Sequence, residues 1–170
     1  MDAANLSHLP IGQFNQIGIV VRDLHAAMAQ YAEQLGLRPW SVYTFTIPPV
    51  KEMTYRGKPA SFKIRVAFAM LGPLQVELIE PITGPTIYDE FFAKQPEGGL
   101  HHIGIWVPDL AAAVAQAREK GIDVIQSGRG YGVGGDGGFA YLDTEPKLGV
   151  IYELIELPGE RRPPDEIFPG

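Results

Sequence analysis

The stretch FNQIGIVVRDLHAAMAQYAE, Phe14–Glu33, returns as LHHIGIWVPDLAAAVAQARE, Leu100–Glu119, with roughly half of the positions identical. The displacement from Gln16 to His102 is 86 residues. A chain that writes one strand–helix unit twice builds a duplicated scaffold, and neither copy alone buries enough surface to stand by itself. In both copies a short β-rich run ends at Asp-Leu and an alanine-rich helix follows, Leu24–Leu35 and Leu110–Lys120. Asp23 and Asp109 stand where a helix N-cap belongs, and Gly36 and Gly121 where helices stop. A second echo closes each half: VELIE at Val76–Glu80 and YELIE at Tyr152–Glu156, with Pro81 and Pro158 beyond. Between helix and closing strand lie β-prone runs at Trp40–Ile47, Phe62–Leu71, Asp123–Gln126 and Gly138–Leu142.

Each half therefore reads strand–helix–strand–strand–strand, and the fold class is α+β. Two tandem βαβββ modules form one curved mixed sheet with helices on its outer face. A single domain spans residues 12–158: module 1 about 12–82, a linker 83–99 with a short helix at Ile87–Ala93, and module 2 about 100–158. Residues 1–11 and 159–170 are terminal extensions, and the proline- and charge-rich tail is expected to be loose or to lie along the surface.

Composition narrows the function. A net charge of −6 argues against nucleic acid or an anionic membrane surface as the main partner. The basic cluster Lys51, Arg56, Lys58, Lys63 and Arg65 reads as a solvated hairpin. The absence of cysteine excludes disulfides, thiolate metal sites and a cysteine nucleophile. MDAANLSHLPIG has neither a basic start nor an apolar run, no segment has the length to span a bilayer, and a cytoplasmic location is expected.

Strand parity selects the site. Side chains alternate across a strand, so with Ile17, Ile19 and Val21 against the helix, Gln16 faces the concave side. The same count turns His102, Gly104 and Trp106 inward, together with Gln75, Glu77 and Ile79, and with Ile151, Glu153 and Ile155. Gln16, Glu77, His102 and Glu153 thus occupy repeat-related positions on one face. Two carboxylates on a buried face need a positive partner, and no lysine or arginine obviously supplies one; a divalent metal would. One imidazole, one amide oxygen and two carboxylates suit Zn, Ni, Co, Mn or Mg without choosing among them. Such an ion acts as a Lewis acid on a carbonyl, and a carboxylate, Glu153 first and Glu77 second, removes the adjacent proton. By parity His101 points away from this site, and His25, opening a helix, is expected to be exposed.

The glycine-rich stretch SGRGYGVGGDGG, Ser127–Gly138, lacks the Gly-Lys-Ser/Thr ending of a phosphate loop. It is a candidate lid or a plain hairpin, with Arg129 reaching an anionic substrate group. Trp106, facing the concavity, is a second candidate for substrate contact.

From QIGIVVRDL, VELIEP, GGLHHIGIWVPDL and GVIYELIELP the chain resembles the vicinal oxygen chelate superfamily over roughly Phe14 to Pro158. This superfamily includes glyoxalase I, methylmalonyl-CoA epimerase, extradiol dioxygenases and bleomycin-resistance proteins. The resemblance implies metal ligands at Gln16, Glu77, His102 and Glu153, a homodimer, and a metal-dependent isomerase, epimerase or lyase acting on a small carbonyl or thioester substrate. Thr86–Ile105 resembles methylmalonyl-CoA epimerase, although Gln16 stands where that enzyme usually has histidine. That enzyme's second acid–base glutamate lies in the first module's strands, where this chain offers only Glu52, expected in a loop. The Gln/Glu/His/Glu set resembles eukaryotic-type glyoxalase I, but Val20 and Pro81 replace that enzyme's arginine and asparagine. A non-catalytic binding or resistance protein of the same fold is the alternative. A ring-cleaving dioxygenase, needing two histidines and one carboxylate, fits less well.

Overall fold

The computed structural model describes residues 12–169, so the expected extension 1–11 lies outside the described residues. In chain order the elements are β1 (Gln16–Val20), α1 (Leu24–Leu35), β2 (Trp40–Phe45), β3 (Glu52–Tyr55), β4 (Lys58–Pro59), β5 (Lys63–Leu71), β6 (Leu74–Thr83) and α2 (Ile87–Lys94). There follow β7 (Gly99–Trp106), α3 (Leu110–Glu119), β8 (Val124–Arg129), β9 (Gly138–Leu142), α4 (Glu145–Leu148), β10 (Ile151–Glu156) and β11 (Glu166–Phe168).

The caps form as the side chains dictate. Asp23 accepts from the Ala26 amide and Asp109 from the Ala112 amide, both at 2.9 Å. Gly36 ends α1 in the left-handed region at φ 65, where a side chain would be strained. α1 then lays Leu24, Ala27 and Met28 over β5 and β6, with Trp40, Leu78, Ile17 and Ile19 completing that layer. α3 does the same over β9 and β10 with Leu110, Ala113 and Ala117. Fully burying a Leu or Met contributes about 1.5–3 kcal/mol each, which is what fixes the inward parity of the other face.

All described strands join one sheet in the order β11-β2-β5-β6-β1-β7-β10-β9-β8-β3-β4. Each half places its first strand innermost, and β1 meets β7 antiparallel at the centre, with parallel partners β6 and β10 outside them. Only residues 46–51 separate β2 from β3, near opposite edges of this sheet. Seven extended Cα steps reach about 25 Å, whereas eight flat interstrand spacings need about 38 Å, so the sheet must curl. Phe45 on β2 accordingly meets Tyr131 and Phe139 across the interior, ring centroids 5.4 and 6.1 Å apart.

Three features correct the sequence-based expectation. The basic cluster does contain a hairpin, β3–β4, but β3 pairs with β8 of the other half. Glu52 is consequently on a strand rather than in a loop, exposed and opposite Arg129. Not every helix lies outside: α2 sends Ile87 and Tyr88 into the concave core. Finally, the tail is not loose. β11 pairs with β2, and Glu166 binds His25 at 3.0 Å, giving that helix-opening histidine a partner. No described helix is long and apolar enough to cross a membrane.

Candidate metal centre

Gln16, Glu77, His102 and Glu153 converge inside the curl. His102 is wholly buried, and its Nε2 lies 3.3 Å from Glu77 Oε2, 3.1 Å from Glu153 Oε2 and 3.3 Å from Gln16 Oε1. Ligand atoms from the two glutamates and the histidine all fall within 4.8 Å of one another. Gln75 is a partner that strand parity put on this face but to which no role was given. It accepts from Gln16 Nε2 at 2.9 Å, which leaves the Gln16 carbonyl oxygen turned to the site.

The register explains why the repeat carries Ile-Gly-Ile. Gly18 on β1 stands opposite both His102 on β7 and Glu77 on β6. Gly104 on β7 stands opposite both Gln16 on β1 and Glu153 on β10. Each glycine thus lies between two ligands on flanking strands, and its missing side chain is the space in which they meet. A Cβ on Gly18 would overlap the His102 ring; one on Gly104 would stand 2.7 Å from Gln16 Oε1.

His101 is where parity fails. Gly18 pairs with His102 but Ile19 with Leu100, so His101 is the extra residue of a β-bulge. It is buried, packed near the rings of Tyr88, Phe91 and Tyr141, with its Nδ1 3.1 Å from His102 Nδ1. Burial first, then the neighbouring His102, holds the His101 pKa well below its usual range. A neutral His101 can accept from His102 Nδ1–H, the tautomer that presents the His102 Nε2 lone pair to a cation. His101 supplies no second imidazole to the carboxylates, so the two-histidine set of a ring-cleaving dioxygenase is not assembled.

The residues present fit a divalent ion. Oε2 of Glu77 and Oε2 of Glu153 are buried with no well-formed hydrogen bond, each facing His102 Nε2, at 3.3 and 3.1 Å. An imidazole nitrogen, an amide oxygen and two carboxylates form a hard-to-borderline donor set whose two negative charges balance a dication. Without the ion, protons take its place. Burial pushes Glu77 up, with the Glu153 charge adding and His102 and Arg161 opposing, to about 6. Burial alone would lower His102, but Glu153 and Glu77 outweigh it and raise it to about 9.

The Glu77 and His102 shifts act in one direction on stability, and the His101 shift acts in the other. Glu77 and His102 hold protons more tightly in the folded state, whereas buried His101 holds them less tightly and offsets the other two below its ordinary 6.5; from about pH 7 to 9 the His102 shift dominates and the folded state binds more protons than the unfolded chain. The metal-free protein therefore loses stability as pH rises through that window. His102 accounts for a change on the order of 3 kcal/mol, full below its unfolded pKa and lost through about 9. Thermal melts of metal-free protein at pH 7 and 9 are expected to show Tm falling with pH. A saturating divalent ion should raise Tm more at the higher pH, since it displaces protons. A metal-free Tm that climbs over this interval would contradict the assignment.

Around the ligands lies an inner chamber of about 30 Å³, opening past Phe45, Phe68, Tyr131 and Arg161 into an outer cavity of about 360 Å³. Two sequence-based candidates for substrate contact do not line it. Arg129, at the end of β8, is exposed and lines grooves shared with Thr54, Arg118 and Lys51. Trp106 sits four residues beyond His102, about 13 Å along β7, opposite Ile155, and its side chain is not among those lining either space. The glycine-rich stretch instead contributes Tyr131, whose hydroxyl donates to the Glu156 carbonyl. Arg161, on a tail whose composition suggested no structure, was not foreseen.

A duplicated, curled sheet that gathers one candidate ligand from each of its four central strands defines a scaffold suited to chelation. The family model for the Glyoxalase/Bleomycin resistance protein/Dioxygenase superfamily matches residues 15–141, and the chain belongs to this superfamily. Among curated relatives it is similar to the ethylmalonyl-CoA/methylmalonyl-CoA epimerase of Cereibacter sphaeroides, 33% identical over 69% of this chain and 78% of that protein. It is 28% identical to the human mitochondrial methylmalonyl-CoA epimerase, over 85% of this chain and 73% of that one. Among solved structures, the Streptomyces coelicolor methylmalonyl-CoA epimerase in complex with 2-nitronate-propionyl-CoA superposes with a TM-score of 0.64. That pair is 23% identical, covering 90% of this chain and 99% of the other. A methylmalonyl-CoA epimerase in complex with methylmalonyl-CoA and NH4+ gives the same TM-score and identity, with the same coverage of 90% and 99%.

Proposed function

We propose that this chain is a metal-dependent epimerase that inverts the carbon next to the thioester carbonyl of an acyl-CoA, with a 2-substituted malonyl-CoA as the substrate class. The observation that carries the reading is the convergence of Glu77, His102 and Glu153 in a buried cluster in which Oε2 of each carboxylate makes no well-formed hydrogen bond. The epimerases named above support the substrate class. A divalent ion held by Gln16, Glu77, His102 and Glu153 would supply Lewis-acid polarisation of the thioester carbonyl, acidifying the neighbouring C–H.

The chain's own groups do the rest. Glu153 takes the proton from the acidified carbon. Inversion needs a proton returned to the opposite face, and Glu77 is the other carboxyl lining the chamber among the described residues. Glu52 cannot serve, since it is exposed on β3 beside Lys51 and Arg129. Phe45, Phe68 and Tyr131 narrow the entrance and keep bulk water from the carbanionic carbon. Val20, 1% exposed in the concave core, stands where the resemblance to glyoxalase I would need an arginine for glutathione, so the hemithioacetal branch lacks its anchor.

The test is deuterium uptake. Methylmalonyl-CoA or ethylmalonyl-CoA incubated in heavy water with metal-loaded protein is expected to gain one deuterium at the 2-carbon, and metal-stripped protein should give none. Stoichiometric metal with no exchange on either thioester would overturn the reading in favour of a binding protein.

A further inference from the structure

The C-terminal tail does more than cover an edge. The Gly159 amide donates to Asp136 Oδ2 at 2.7 Å, and the Val133 amide to the Glu160 carbonyl at 3.0 Å. Arg162 Nε donates to the Tyr131 carbonyl at 3.2 Å, and the Asp165 amide to the Val42 carbonyl at 2.8 Å. Beyond these, β11 is bound to β2 and Phe168 packs against the α1 layer. The backbone is thus tied on both sides of one residue, Arg161, which spans the gap between the glycine-rich loop and β2.

Arg161 stands at the neck between the inner chamber and the outer cavity and lines both. Its guanidinium lies over the Phe68 ring, 5.2 Å from the centroid, and makes no hydrogen bond or ion pair with any described residue. Among the described residues it is the only lysine or arginine lining the chamber that holds Glu77 and Glu153. Charge counting then gives the ligand a sign. Two ionised glutamates balance a dication, Gln16 and Gln75 are neutral, Arg162 and Asp165 of the outer cavity offset each other, and Arg161 leaves one net positive charge at the entrance. The residue is exposed at this neck, and a fork of donors with no protein acceptor among the described residues can pair with a carboxylate.

We propose that Arg161, carried by the C-terminal strap, recognises a carboxylate on the acyl part of the substrate and so makes the enzyme selective for malonyl-type thioesters over neutral acyl thioesters. The assignment rests on the epimerase reading and deepens it. Pinning the strap on both sides of Arg161 lowers the entropy cost of the contact. It also gives the tail, which has no counterpart in the duplicated modules, a part in specificity. The anion expected to meet Arg129 is assigned instead to Arg161 on the C-terminal tail.

The experiment compares α-proton exchange in heavy water for wild type, Arg161→Met and Arg161→Lys, each loaded with metal and checked for stoichiometric binding. The probes are methylmalonyl-CoA, its truncated N-acetylcysteamine thioester, and neutral 2-methylacetoacetyl-CoA, whose own acidity makes exchange measurable. Arg161→Met is expected to lose roughly 10- to 100-fold in kcat/KM on both carboxylate-bearing thioesters and little on the neutral one, with Arg161→Lys between. An equal loss on all three probes would overturn the proposal. So would a loss seen with the CoA ester but absent from the truncated one, which would assign Arg161 to the nucleotide phosphates. No change on any probe would do the same. Wild type inactive on every thioester would instead fail the epimerase reading itself, a result separate from these.

Discussion

Alanine at Gly18 is expected to abolish stoichiometric divalent-metal binding and to take α-proton exchange down to background. The new Cβ would occupy the space of the His102 ring, and that ring is backed by His101 and Tyr141, so it has nowhere to retreat. Overpacking of this kind costs about 1–3 kcal/mol in stability. The larger effect is displacement of Nε2 from the two carboxylate oxygens it now faces at 3.1 and 3.3 Å. Gly104→Ala should be milder, because its Cβ would come no nearer than 2.7 Å, to Gln16 Oε1, with Gln16 Cβ at 2.8 Å and Ile155 Cδ1 at 2.9 Å, whereas at Gly18 it would lie within the imidazole. Metal content of the purified variants, with melting curves to confirm folding, separates the two. If Gly18→Ala retains one tightly held ion per chain, the account of the glycines as the meeting space of the ligands is wrong.

Replacing Glu153 by Gln should reduce exchange by a factor of about 10² to 10⁴, the usual worth of a positioned proton-transfer group. The amide keeps an oxygen that can face the ion but cannot accept the proton. Glu77→Gln is expected to cost less in exchange and more in metal affinity. The Arg161 charge acts on Glu77 and favours its ionised, metal-holding form. Exchange rates measured at saturating metal distinguish chemistry from binding. A Glu77→Gln loss that exceeds the Glu153→Gln loss under that condition would exchange the two roles.

Much of this was written in the chain because the repeat and strand alternation are local properties. Ile17, Ile19 and Val21 had to bury against a helix, and that alone turned Gln16, Gly18 and their counterparts inward. Adjacent strands in fixed register then brought the four ligands to one place. Alternation breaks where a strand bulges, so His101 was placed outside although the bulge tucks it behind His102. Arg129 lies outside the chamber because a residue at a strand end is aimed by its neighbours, here β3 arriving from the other half.

The amino-acid sequence by itself determined the doubled scaffold, the helix caps and which four polar groups share the concave face, since each follows from a period of two or a turn of helix. Only the tertiary structure decided that Gly18 and Gly104 are the gaps in which those groups meet, that α2 enters the concave core, and that a remote arginine at position 161 stands at the entrance. Those outcomes depend on contacts between segments far apart in the chain, where packing and hydrogen bonding across a curled sheet choose the neighbour and no local pattern records the choice.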